Sequence, residues 1–201
     1  GLMERARISL EDAENEISSS DSDSIGELQQ RFEEANEALE VGNASLTIGL
    51  ADGITRALRR EASAKTSVQR ALRQRKSIQA DIPPGVAGSE WRARLEAIAS
   101  LADAGNWVEA DDSMQILVSE LESLSSRVGE AKEMLDFLGG DWKKLRNRLD
   151  SSGVSPENEM RVEAESALAD SEKALSEGRV ESCLDYLGKA DSAMEALRRL
   201  V

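Results

Sequence analysis

Residues 107–150 read WVEADDSMQILVSELESLSSRVGEAKEMLDFLGGDWKKLRNRLD. Apolar side chains recur through this stretch at alternating steps of four and three residues: Ala110, Met114, Leu117, Leu121, Leu124, Val128, Ala131, Leu135, Leu138, Trp142, Leu145 and Leu149. This a/d spacing is typical of a helix that packs along its length against other helices, and its phase continues across Gly139-Gly140. The stretch therefore predicts one continuous helix, about 65 Å long at ~1.5 Å per residue.

A helix of this length does not fit inside a compact globule formed by the whole chain. A compact protein of 201 residues has a radius of gyration of only ~17 Å. The composition agrees with a helical protein, because aromatic residues make up only 3% of the chain and proline occurs three times. We therefore expect an elongated, all-α protein.

Capping residues and glycines divide the rest of the chain into helices. The pattern predicts about seven, over 2–18, from Ser24 to Gly42, over 44–80, over 89–104, over 107–150, from Ser155-Pro156-Glu157 to Gly178, and from Val180 onwards. Ser24 and Glu27 have the spacing of a capping box. Asn43 and Asn106 follow Gly42 and Gly105, as in a helix end followed at once by the cap of the next helix.

The glycine turns also give the chain a repeating organisation. Gly42, Gly105 and Gly178 lie 63 and 73 residues apart, and short turns make consecutive helices antiparallel neighbours. The pattern predicts three consecutive three-helix bundles, over 1–61, 62–125 and 126–201. The long helices 44–80 and 107–150 would pass continuously across the boundaries.

This layout resembles spectrin-type repeats in its architecture. The resemblance implies an elongated array of bundles, and it implies no role for any individual residue. Because both ends of the chain lie in apolar-periodic helix, we also expect the sequence to be part of a larger protein.

Several classes of function lack their sequence signatures. The chain has no histidine and a single cysteine, Cys183, so a disulfide within the chain and a Cys/His zinc site are excluded. No phosphate-binding loop or nucleophile motif is present. We expect no catalytic activity, no cofactor, no metal and no small-molecule substrate. No signal-peptide pattern or membrane-spanning apolar run occurs, and the sequence leaves the compartment open.

The charge distribution identifies one candidate contact surface. The net charge is −14, yet residues 55–80 contain eight Lys and Arg side chains against one acid, Glu61. Five arginines of this segment cluster on one side of the predicted helix: Arg56, Arg59, Arg60, Arg70 and Arg73. These five residues are called the Arg face below.

The Arg face has three interpretations. Residues 1–40 carry twelve acids and three arginines, so neutralisation within the protein is the one we favour. Docking of an acidic protein partner is the second. Binding of nucleic acid or anionic membrane is the third, and the lack of aromatic stacking groups argues against it.

The sequence favours a non-catalytic scaffold segment, a semi-rigid helical rod that spaces or docks other proteins or flanking domains of the same protein. One alternative is a regulatory adaptor that binds an acidic peptide or protein through the Arg face. Another is self-association, in which the apolar seams of the terminal helices complete a bundle with a second copy.

Overall fold

The computed structural model describes residues 1–22 and 24–201, and these residues fold as helices without a β-strand. The helices are α1 (Leu2–Ser19), α2 (Ile25–Glu40), α3 (Ala44–Arg73), α4 (Arg75–Asp81), α5 (Ser89–Asp103), α6 (Trp107–Ser151), α7 (Glu159–Ser176) and α8 (Val180–Arg198), with a short 3₁₀ helix at Gly85–Gly88. The predicted all-α class is confirmed.

The long helix predicted over 107–150 is present as α6, a single helix of 45 residues. It continues through Gly139 and Gly140, as the phase of the apolar seam indicates. Nine of the twelve seam residues are buried, and the other three, Leu124, Val128 and Leu135, are partly buried. The a/d pattern thus identified the packed side of α6 correctly.

The helix predicted over 44–80 is interrupted, which raises the number of α-helices in the described residues from seven to eight. α3 ends at Arg73 and α4 begins at Arg75. The Gln74 amide bonds to the Ala71 carbonyl at 3.0 Å, the tighter spacing of a 3₁₀ turn. Positive charges lie about one turn apart around Gln74, on Arg70, Arg73 and the residues just after Gln74. Their repulsion weakens a continuous helix at this point.

The predicted glycine turns are confirmed at Gly42, Gly105 and Gly178, where φ is +78°, +80° and +74°. In the first turn the Asn43 amide donates to the Ala38 carbonyl at 2.8 Å. The Asn43 side chain accepts from the amide of residue 46 and caps α3. A left-handed glycine therefore ends one helix while the next residue starts another.

Two predicted helix starts differ in detail. Ser24 precedes α2, but its side chain makes no capping hydrogen bond, so the capping box with Glu27 is not formed. The helix predicted at Ser155 begins instead at Glu159. Ser155 Oγ accepts from the residue-157 amide in a local turn, while the Asn158 side chain accepts from the Met160 and Arg161 amides in the first turn of α7. Asn158 is the stronger cap because its side-chain oxygen accepts from two of the free amides in the first turn of α7.

The first three helices pack together as a bundle. α1, α2 and α3 contact one another in all three pairings. Their shared core is aliphatic: Leu10, Ala13, Leu28, Ala35, Ala51, Ile54 and Leu58. Three of these seven residues are alanine, so small side chains contribute to the packing of this bundle.

The last part of α6 forms a second bundle with α7 and α8. Its buried core includes Ala131, Leu138, Trp142, Leu145, Leu149, Ala164, Ala174, Val180, Cys183, Leu187, Met194 and Leu197. Arg161 is also buried, with only 4% of its surface exposed. Its guanidinium donates to the Val154 carbonyl at 2.8 Å and pairs with Asp150 at 2.9 Å. Arg161 thereby ties the α6–α7 connection to α7.

Contacts between Cα atoms divide the chain into two compact units. One comprises Gly1–Arg75 with Leu95–Ile116, and the other comprises Lys76–Arg94 with Leu117–Val201. α5 and α6 each contribute residues to both units. The division into three bundles over 1–61, 62–125 and 126–201 stays a prediction.

Candidate interaction surfaces

All five residues of the Arg face lie on α3, and all five side chains are exposed. The helix brings them to its solvent side because Ile54, Leu58, Ala64 and Val68 take the buried side. The predicted amphipathic division of this segment is therefore present.

Three arginines of the face interact with oxygen atoms of the protein itself. Arg59 Nε donates to Glu16 Oε1 of α1 at 2.9 Å. Arg60 pairs with Asp112 of α6 at 3.2 Å. Arg56 Nε donates to a backbone carbonyl of α3 one turn earlier, at 3.2 Å. The contacts of Arg59 and Arg60 support neutralisation within the protein over this part of the surface.

Lys65, on the same helix, interacts with two separate segments. Its ammonium donates to Asp21 Oδ2 at 2.8 Å and lies 5.6 Å from the centroid of the Trp107 ring. The pKa of Asp21 lies below its ordinary value. The hydrogen bond from Lys65 lowers it most, and the positive charge of Lys65 lowers it further. Nearby, Ser22 Oγ donates to Glu61 at 2.7 Å. These contacts hold the serine-rich α1–α2 connection against α3, and the sequence pattern did not reveal them.

Arg70 and Arg73 differ from the rest of the Arg face. Both lie in the last turn of α3, and neither forms an ion pair with any described residue. Cations at a helix C-terminus complement the helix dipole, which accounts for their position without a partner. Within the Arg face, therefore, Arg59 and Arg60 contact carboxylates, whereas Arg70 and Arg73 form no ion pair with a described residue. Docking of an acidic partner through these residues stays a prediction.

A second surface, absent from the sequence-based predictions, lies between α7 and α8. It is an open recess of about 510 Å³, called the α7–α8 groove below, and it is lined by Glu157, Glu159, Val162, Glu163, Ser166, Ala167, Asp170, Tyr186 and Lys189. Val162 leaves 52% of its surface exposed, while Ala167 is buried and Tyr186 is partly buried. The groove lining thus combines apolar side chains with four carboxylates, which are called its wall below.

Spacing along α7 was the signal that could have indicated this groove. Glu159, Glu163, Ser166 and Asp170 follow steps of four, three and four residues, which places them on one side of a helix. The contribution of α8 has no such signal, because only packing brings Tyr186 and Lys189 beside that stripe. Lys189 lies 5.4 Å from the centroid of the Tyr186 ring.

The connection between α4 and α5 packs against the turn between α7 and α8. A Cβ atom added to Gly178 would lie 2.9 Å from the Cβ atom of Pro83. Gly178 therefore serves two purposes, since it adopts the positive φ of the turn and leaves room for the proline.

The structure also places the candidates for covalent or metal chemistry. The described residues contain no group of three or more Cys, Asp or Glu side chains arranged to hold a metal ion. Cys183 is buried, and its burial raises the pKa of the thiol.

Comparisons with known proteins add no relative. No protein-family model matches the chain, and no curated protein or solved structure shows significant similarity to it. None of the helices in the described residues combines the length and the hydropathy needed to cross a bilayer. The fold defines the chain as an all-α protein.

Proposed function

We propose that this chain is a non-catalytic scaffold segment, a semi-rigid helical rod that spaces or docks other proteins. The observation that carries the proposal is α6, whose 45 residues form one uninterrupted helix. At ~1.5 Å per residue this single element is about 68 Å long. Such a helix is the usual means by which an α-helical protein transmits a fixed spacing along one direction.

The packing at both ends of the chain supports an array of bundles. α1, α2 and α3 share one core, and α6, α7 and α8 share another. We infer that consecutive bundles are joined through long helices, the arrangement that resembles spectrin-type repeats. On this proposal α6 is the stiffest member of the array.

Small-angle X-ray scattering on the full chain tests the rod directly, with the molar mass measured on the same sample. A monomer whose radius of gyration lies well above the ~17 Å of a compact 201-residue protein supports the spacer function. A monomer at ~17–20 Å rules it out. A mass that doubles with concentration supports the self-association alternative.

A distance measured within α6 separates a rigid helix from a bent one. Gln115 and Lys143 are exposed and lie 28 residues apart, which corresponds to about 42 Å along a continuous helix. Spin labels attached at these two positions, with Cys183 replaced by alanine, should give one narrow distance distribution near that value. A broad distribution centred well below it would contradict a semi-rigid α6.

A further inference from the structure

The α7–α8 groove has the features of a binding surface that the spacer function does not require. Its lining includes three apolar side chains, Val162, Ala167 and Tyr186, which are called its floor below, and half of the Val162 surface is accessible to water. An exposed apolar side chain alone is ordinary. Here it borders an open recess of about 510 Å³ whose lining also includes Ala167 and Tyr186.

The wall of the groove carries negative charge without internal compensation. Glu157, Glu159, Glu163 and Asp170 line it, and none of them forms an ion pair with a described residue. Arg161, on the same helix, points elsewhere and pairs with Asp150. The only cation of the groove is Lys189, whose ammonium lies over the Tyr186 ring.

We propose that the α7–α8 groove docks a Lys/Arg-rich amphipathic helix of a partner protein. The acidic wall selects a cationic partner, and the apolar floor selects one with a stripe of aliphatic side chains. From Glu159 to Asp170 the wall extends over about 17 Å of α7 at ~1.5 Å per residue, enough for about three turns of the incoming helix. Nucleic acid and anionic membrane are disfavoured because the four carboxylates repel phosphate groups.

The partner helix would place apolar residues at helical spacing over Val162 and Tyr186. Its basic side chains would flank that stripe and reach the carboxylates of Glu159, Glu163 and Asp170. Since these carboxylates are exposed, each ion pair would contribute modestly, and specificity would come from the combination of charge and apolar contact. Binding at this groove requires only that α7 and α8 pack together, so the inference does not depend on the proposed rod.

The experiment uses the full chain and an 18-residue fluorescent peptide of Leu-Lys-Lys-Leu repeats, with both ends blocked. Fluorescence anisotropy at low ionic strength should give a dissociation constant tighter than about 100 µM. The double variant Glu163→Gln/Asp170→Asn should weaken binding roughly tenfold, since two charged contacts are lost. Val162→Ser should weaken it about threefold to tenfold through loss of the apolar floor.

A matched control distinguishes the groove from general attraction to an acidic protein. Glu165 and Glu172 are exposed on the other side of α7, so Glu165→Gln/Glu172→Gln removes the same charge from the same helix. We expect this control to change the dissociation constant by less than about twofold. Circular dichroism of each variant should match that of the parent, because all the replaced side chains are exposed.

Three results would overturn the proposal. The first is absence of peptide binding tighter than about 100 µM. The second is equal weakening by the groove variant and the control, which would mean diffuse electrostatic attraction. The third is a concentration-dependent dimer that Val162→Ser converts to monomer, which would identify a second copy as the occupant. None of these results bears on the scattering test, so the spacer function and the groove can fail separately.

Discussion

Replacing Gly139 and Gly140 by alanine should stabilise the protein, because both glycines lie in the interior of a continuous helix. Neither has a positive φ angle. A Cβ atom added at either position would have no other atom within 4 Å, apart from its immediate neighbours and the local helix backbone. The substitution therefore adds no clash and removes only the conformational freedom that glycine has in the unfolded chain.

The expected size follows from helix propensity. Alanine is favoured over glycine by about 0.8–1.0 kcal/mol at an interior helix position, and compatible Gly→Ala replacements in proteins give about 0.4–1 kcal/mol. The double variant should therefore gain about 1–2 kcal/mol in the free energy of unfolding. For a chain of this size each kcal/mol raises the melting temperature by about 2–4 °C, so the total increase is about 2–8 °C.

Urea unfolding followed by circular dichroism at 222 nm is the assay. Gly42→Ala serves as the control, because its surroundings are equally open but its φ of +78° is unfavourable for alanine. That control should lose about 1–2 kcal/mol. If the double variant were instead destabilised, α6 could not be a regular helix through residues 139 and 140, and the reasoning behind the rod would be refuted.

Three further predictions concern single side chains. Arg161→Ala should cost about 2–3 kcal/mol in urea unfolding, because the Val154 carbonyl and the Asp150 carboxylate lose their buried donor. The exposed Arg199→Ala should stay within about 0.5 kcal/mol, and equal effects would contradict the role of burial. Cys183 should react with Ellman's reagent only after unfolding, because its thiol is buried and its pKa is raised; fast labelling of the native protein would contradict this. The pKa of Asp21 is lowered in the folded state by Lys65, so its contribution to stability is present at neutral pH and lost as the pH falls through that lowered value. The stability difference between the parent and Asp21→Asn should therefore vanish in acid, and a difference independent of pH would refute the assignment.

Periodicity alone was sufficient for the helices and their packed sides. The steps of four and three residues in α6 predicted both its length and its buried face, because a helix returns to the same side every 3.6 residues. Gly42, Gly105 and Gly178 predicted the turns, because a left-handed backbone position favours glycine over every other residue. Those features are local, so the sequence contains them directly.

Competition between neighbouring signals accounts for the errors in helix boundaries. Pro156 and Ser155 form a plausible helix start, yet Asn158 lies two residues later and caps α7 with two hydrogen bonds. The sequence next to Gln74 contains no proline or glycine that would predict an interruption there. The Gln74 amide bonds to the Ala71 carbonyl as well as the Arg70 carbonyl, and like charges one turn apart disfavour a continuous helix there. Hydrophobic periodicity measures neither effect.

The sequence by itself determined that this chain is α-helical, where its turns lie and which face of α6 is packed. Only the tertiary structure decided that Arg59 and Arg60 meet Glu16 and Asp112, whereas the end of α3 remains exposed. It also decided that the acidic stripe of α7 borders Tyr186 of α8. The physical reason is that charge pairing and groove formation depend on which helices are neighbours and on how each helix is rotated about its axis. Packing between residues far apart in the chain sets the neighbours and the rotation, so no local pattern in the sequence contains them.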